Sequence, residues 1–169
     1  MINQIREAFP NIDENCLITI TDKHTFVFED QELKKGVFVN ANEKYHLHIQ
    51  NNTNSEYHFI QNDDCVMKSV KGGQCDYVVL NDNCIYFTEI KATDENLSVR
   101  RQKGIKQLEN TIKFYLKKID SIDLENKNAI ICFDNNKRIA PQASVSTKRK
   151  EFKMKYQIDL HEGNYISFD

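Results

Sequence analysis

Two neighbouring segments without a polar face constrain this chain most. Cys75-Asp76-Tyr77-Val78-Val79-Leu80 and Cys84-Ile85-Tyr86-Phe87-Thr88-Glu89-Ile90-Lys91 flank the short polar stretch Asn81-Asp82-Asn83. Such runs read as strands, and the stretch between them reads as a tight hairpin turn. A strand that is apolar on both sides must be covered on both sides. The pair is therefore expected in the middle of a layered sheet.

The segments around this hairpin set the fold class. Downstream, Ile105, Leu108, Ile112, Tyr115, Leu116 and Ile119 recur at three- and four-residue steps, which predicts an amphipathic helix. Thr93–Ser98 reads as its connecting segment, with Ser98 as the N-cap. Lys117 and Lys118 fall in its last turn, where the helix dipole favours cations. Asn128–Phe133 predicts a short buried strand. Upstream, residues 2–8 read as a short helix stopped by Pro10. Residues 11–62 then read as β-rich, with strands at Cys16–Ile20, Thr25–Phe28, Val37–Val39, Tyr45–Ile49 and Tyr57–Ile60. Cys65–Val70 reads as one more strand. Pro141–Lys150 reads as a polar loop, and Tyr156–Leu160 with Tyr165–Phe168 as a closing hairpin around Glu162-Gly163-Asn164. The order predicts one α/β (α+β) domain over 1–169. It has a β-rich N-terminal portion (11–62), a core (65–135) and a C-terminal loop and hairpin (136–169).

Composition narrows the function classes. Of 169 residues, 40 % are hydrophobic and 28 % charged, enough apolar material for a core. No apolar run approaches the roughly 20 residues of a membrane span, and Met1-Ile2-Asn3-Gln4-Ile5-Arg6-Glu7 lacks the pattern of a secretory signal. A cytoplasmic protein with no membrane partner is expected. The formal charge is −2, so a nucleic-acid partner would need a local basic patch or a metal ion. The five cysteines, Cys16, Cys65, Cys75, Cys84 and Cys132, are odd in number and show no C-x-x-C spacing. They are read as small buried hydrophobes in a reducing compartment, without a disulfide framework or zinc knuckle. His46 and His48, with His24 and His58 nearby, read as the exposed face of a sheet, and Asp63-Asp64 as a solvated turn. No Gly-rich phosphate loop or serine-centred elbow is present.

One constellation carries chemistry. Glu89 and Lys91 are two residues apart on a strand and so share a face. If the two strands pair through the Asn81-Asp82-Asn83 turn, Asp76 falls opposite Glu89, give or take a residue. Burying ions costs several kcal/mol each unless they are paired, and Lys91 balances only one of two carboxylates. Oxygen-ligated Mg²⁺, held by one or two carboxylates, water and a phosphate, is the natural further cation. Arg100, Arg101, Lys103, Lys106 and Lys113 crowd the following helix and could track a phosphate backbone. Lys148-Arg149-Lys150, Lys153 and Lys155 form a second basic stretch.

Cys75-Asp76, then twelve intervening residues, then Glu89-Ile90-Lys91 resembles the PD-(D/E)XK superfamily of restriction-endonuclease-like nucleases. The resemblance spans about Lys68 to Phe133. It implies a mixed central sheet flanked by helices, with the β-rich N-terminal segment as an addition to the family core. It implies that Asp76 and Glu89 bind Mg²⁺ (or Mn²⁺), that the main-chain carbonyl of Ile90 adds a ligand, and that Lys91 assists the attacking water. One branch of the family carries Q-x-x-x-Y on the next helix. Gln107-Leu108-Glu109-Asn110-Thr111 matches its Gln but not its Tyr, which marks Gln107 as a candidate beside Arg100, Arg101, Lys103 and Lys106. The family's early acidic residue has only weak candidates, Glu7 and Glu56. The implied function is metal-dependent hydrolysis of phosphodiester bonds, in DNA before RNA, in genome defence or repair. The alternative is an inactive nuclease-fold binding module or partner subunit. A homodimer or larger complex stays open.

Overall fold

The computed structural model describes residues 1–33, 35–53, 55–68, 70–92, 96–119, 122–134 and 143–169. Its elements are α1 (Ile2–Ala8), β1 (Leu17–Ile20), β2 (His24–Asp30), β3 (Lys35–Val39), β4 (Leu47–Asn51), β5 (Tyr57–Gln61), β6 (Tyr77–Leu80), β7 (Cys84–Lys91), α2 (Leu97–Lys118), β8 (Asn126–Phe133), α3 (Ala143–Tyr156), β9 (Asp159–Glu162) and β10 (Tyr165–Phe168). A 3₁₀ turn, Glu14–Cys16, precedes β1, and a π-helical turn, Asn62–Val66, follows β5.

The strands form two mixed sheets in an α/β architecture. One has six strands in the order β1-β5-β6-β7-β8-β9, the other four in the order β10-β4-β2-β3. β6 and β7 occupy the centre of the larger sheet and are buried over nearly their whole length, as strands without a polar face must be. One side of this sheet presents Val78, Leu80, Ile85, Phe87 and Ile131 to Leu108, Ile112, Tyr115 and Phe152 of α2 and α3. The other side presents Phe59, Val79, Ile90 and Ile130 to Val27, Leu47, Ile49 and Phe168 of the smaller sheet. The molecule thus has three layers: helices, central sheet, second sheet. The expected flanking by helices holds on one side only.

The β-rich portion at 11–62 is divided rather than separate. β1 and β5 extend the central sheet beside β6, while β2, β3 and β4 build the second. Five further expectations are corrected. The stretch read as a strand at Cys65–Val70 begins within the π-helical turn, where Met67 is apolar because it faces the helical core. The loop read at Pro141–Lys150 is the start of α3 from Ala143 on, and Pro141 lies outside the described residues. The closing hairpin does not form: β9 pairs parallel with β8, and β10 pairs parallel with β4 in the other sheet. Cys16 and Cys65 are joined by a disulfide that ties the 3₁₀ turn to the π-helical turn. This bond weighs against the expected reducing compartment; Cys75, Cys84 and Cys132 are free and buried. The N-cap of α2 is Asn96, whose φ of 53° is left-handed, two residues before the expected Ser98. Among the described residues no helix is long and apolar enough to cross a membrane.

Candidate active site

The central hairpin brings two carboxylates to one end of the sheet. Asn81 Oδ1 accepts from the backbone N–H groups of Asn83 (2.9 Å) and Cys84 (2.8 Å), which closes the turn with a side chain. That turn sets the register: Tyr77 stands opposite Thr88, so Asp76 stands opposite Glu89. Asp76 is held from both sides. Its Oδ2 accepts from the N–H of Ile90 at 2.6 Å. The preceding Cys75 donates its N–H to Thr111 Oγ1 on α2 (2.8 Å), and its carbonyl accepts from Asn62 Nδ2 (2.9 Å). Tyr115 Oη in turn donates to Asn62 Oδ1 at 3.1 Å. The helix and the π-helical turn therefore clamp the backbone that carries Asp76.

Glu89 is 0 % exposed and Lys91 only 9 %. The Lys91 ammonium is paired with Glu89 Oε1 and donates to Gln107 Oε1 at 3.0 Å. Gln107 is itself fixed, because its Nε2 donates to the carbonyl of Gln74 at 2.8 Å. Gly73, at φ +82°, leaves room beside it: a Cβ added there would stand 3.1 Å from Gln107 Cγ. The other Glu89 oxygen, Oε2, is buried and has no hydrogen-bond partner among the described residues. An orphaned carboxylate oxygen in a sheet interior is costly. A cation would relieve it.

These groups line a cavity of about 380 Å³ together with Glu29, Asp63, Tyr77, Ala92, Arg100 and Lys103. Burial, then the neighbouring Asp76 charge, pushes the Glu89 carboxyl well above its usual range. Burial raises Asp76 to about 6 despite the Ile90 hydrogen bond and Lys91, which act in the opposite direction. Glu29 reaches the cavity from β2 in the other sheet, where Tyr77 Oη donates to its carboxylate. Burial and the charges of Asp76 and Asp63 push Glu29 up to about 8. Three carboxyls crowded around one ammonium thus hold their protons more tightly than free ones.

No family model, curated protein or solved structure matches this chain.

Of the residues singled out from sequence, Asp76, Glu89, Ile90, Lys91, Arg100, Lys103 and Gln107 meet at this cavity. Two do not. Arg101 is 2 % exposed, stacks over Phe133 at 5.6 Å and pairs with Glu162 on β9 through Nε–Oε1 at 2.6 Å. It is an internal cation, so no nucleic acid reaches it. Lys106 is exposed on α2 but does not line the cavity. Glu7 and Glu56 are exposed, and Glu56 lies beside His58 instead. Glu29, which was not singled out from the sequence, is a further carboxylate at the cavity. Asp63, read as part of a solvated turn, also faces the cavity; of its neighbour Asp64 no side chain is described.

The histidines do not gather. His46 is buried against Phe28, with Nδ1 accepting from the N–H of Glu29 at 3.0 Å. His24 and His48 meet at 3.1 Å, while His58 bonds Thr19 in the central sheet. Among the described residues no three His, Cys, Asp or Glu side chains are arranged to enclose a metal by themselves. A Mg²⁺-type shell needs less from the protein, one or two carboxylates with water and phosphate oxygens completing it. Asp76, Glu89 with its free Oε2, and the Ile90 carbonyl fit that demand.

Proposed function

We propose that this chain is a metal-dependent nuclease that hydrolyses phosphodiester bonds of DNA, with RNA the second choice, in genome defence or repair. The observation that carries this reading is the meeting of Asp76, Glu89 and Lys91 at one cavity, with Glu89 Oε2 buried and unpaired. Asp76, Glu89 and the Ile90 carbonyl would hold Mg²⁺ or Mn²⁺, which when bound polarises a phosphoryl oxygen and lowers the pKa of water. The rest falls to the side chains. Lys91, steadied by Gln107, presents an ammonium that orients the attacking water and offsets negative charge growing on phosphorus. Arg100 and Lys103 on the cavity wall bind the phosphate oxygens beside the cleaved bond. Water adds to phosphorus as the P–O bond to the leaving alcohol breaks, so the products are one phosphate monoester end and one hydroxyl end.

The test is cleavage of plasmid, linear duplex and single-stranded DNA, and of RNA, in Mg²⁺, Mn²⁺ or EDTA. The wild type should cut only with metal. Asp76→Asn, Glu89→Gln and Lys91→Ala should each lose at least about 100-fold, the scale of removing one group that acts on the transition state. Equal inactivity of all four proteins with every substrate, alongside intact nucleic-acid binding, would favour the inactive binding module.

A further inference from the structure

The charge of this chain is sorted by layer. α2 and α3 hold twelve of its 23 Lys and Arg but only two of its 25 Asp and Glu. The two helices therefore carry a formal +10 and the remaining residues −12. Both helices pack on the same side of the central sheet. α2 contacts β7 and β8, and α3 contacts β9, the next strand in the sheet order. Tyr156 Oη on α3 donates to Glu109 Oε1 on α2 at 2.8 Å, which joins them side by side.

Cations stand at several points of this layer. Arg100 and Lys103 stand on the cavity wall. Lys106 lies one turn further along α2 and is exposed. Beyond the Tyr156–Glu109 junction, Lys150 and Lys155 are exposed on α3, with no ion-pair partner among the described residues. The opposite outer face is different in kind. There Phe26, Tyr45, His48 and Tyr165 form a ring cluster on the smaller sheet, within the part of the chain that holds the negative excess. A polyanion would be drawn to the helices.

We propose that the outer side of α2 and α3 is the docking surface for a polynucleotide backbone, which runs from the cavity over Lys106 to Lys150 and Lys155. This rests on the nuclease reading and deepens it, because it places the substrate. Helices of 22 and 14 residues are about 33 and 21 Å long. At roughly 3.4 Å per phosphate along one strand of a duplex, they span about six to ten phosphates.

The experiment is fluorescence anisotropy of labelled 20-mers, duplex and single-stranded, titrated over a range of KCl in EDTA so that nothing is cut. The double variant Lys150→Gln/Lys155→Gln is compared with wild type, and circular dichroism melts check that both are folded. The variant should bind about tenfold more weakly near 0.1 M salt. Its plot of log affinity against log salt should be shallower by up to about 2, near 0.9 per lost phosphate contact. Its hydrolysis of bis(p-nitrophenyl) phosphate in Mn²⁺, a diester too small to reach α3, should match wild type. An unchanged salt slope in the variant overturns the track on α3 and leaves the nuclease reading intact. No binding of either 20-mer by wild type at low salt overturns it too. Binding as expected without hydrolysis of the small diester counts against the nuclease reading alone.

Discussion

At the scale of single residues, the site is a surplus of negative charge held in place by neutral partners. Lys91 is bonded directly to Glu89 Oε1 and Gln107, Asp76 and Glu29 accept hydrogen bonds from Ile90 and Tyr77, and the second Glu89 oxygen has no hydrogen-bond partner among the described residues. The consequence is a pH dependence whose sign follows from the direction of the shifts. Carboxyls raised on folding bind protons more readily in the native state than in the unfolded chain. Their protonated forms favour the fold, and stability is lost as pH rises through the native values. For Asp76 the window runs from 3.8 to about 6, and for Glu29 from 4.5 to about 8. In EDTA, urea unfolding should therefore give lower stability at pH 8 than at pH 5, by about 1–3 kcal/mol once partial exposure of Glu29 is allowed for. Glu29→Gln should flatten the upper part of that fall. Saturating Mg²⁺ should reverse it, since an ion bound only by the folded state stabilises it. Stability that rises from pH 5 to pH 8 without metal would contradict the electrostatics described here. Asp76, Glu89 and Lys91 were legible in the sequence because strand alternation and a short turn fix which side chains face each other. Glu29 was not, because it reaches the cavity through the packing of one sheet on another, and no spacing along the chain records that. Arg101 misled for the opposite reason: its partner Glu162 is 61 residues away.

At the scale of elements, the pieces with strong periodicity were readable and the polar ones were not. The β6–β7 hairpin and α2 follow from apolar runs and a three-to-four-residue stripe. α3 turns only a few apolar side chains inward, Val145 and Phe152 among them, and five of its fourteen residues are cations, so its pattern resembles a loop. β9 and β10 looked like a hairpin because a Gly-Asn turn separates them. Their partners, β8 and β4, lie far back in the chain, and parallel pairing leaves no local mark. Two predictions belong here. Reducing the Cys16–Cys65 bond, which closes a loop of separation 49, should cost about 2–4 kcal/mol of stability. Guanidinium unfolding with and without a dithiol measures it, and no difference would show the two turns to be held by packing alone. Gly36→Ala should disturb the site from the second sheet. An added Cβ would stand 2.7 Å from Tyr77 Oη, and that hydroxyl is the Glu29 partner. The ring is buried and cannot swing away cheaply, so the variant should lose about 1–3 kcal/mol. It should also show the flattened pH dependence of Glu29→Gln. A variant as stable as wild type would place Tyr77 elsewhere.

At the scale of the whole molecule, three layers divide the work. The central sheet supplies Asp76, Glu89 and Lys91. The helical layer covers it, contributes Gln107, Arg100 and Lys103, and concentrates positive charge. The second sheet closes the far side and sends in Glu29. A cavity between these layers, acidic at its base and basic on its helical wall, suits a phosphodiester held against a divalent ion. All of this depends on a cation sitting where the carboxylates meet. The direct measurement is a crystal structure of the protein soaked in Mn²⁺, with anomalous data to locate the ion. The account predicts a peak about 2.0–2.3 Å from oxygens of both Asp76 and Glu89, with Oε2 no longer unpartnered. A map with no anomalous density at those two side chains, from crystals in saturating Mn²⁺ that still diffract well, would contradict it.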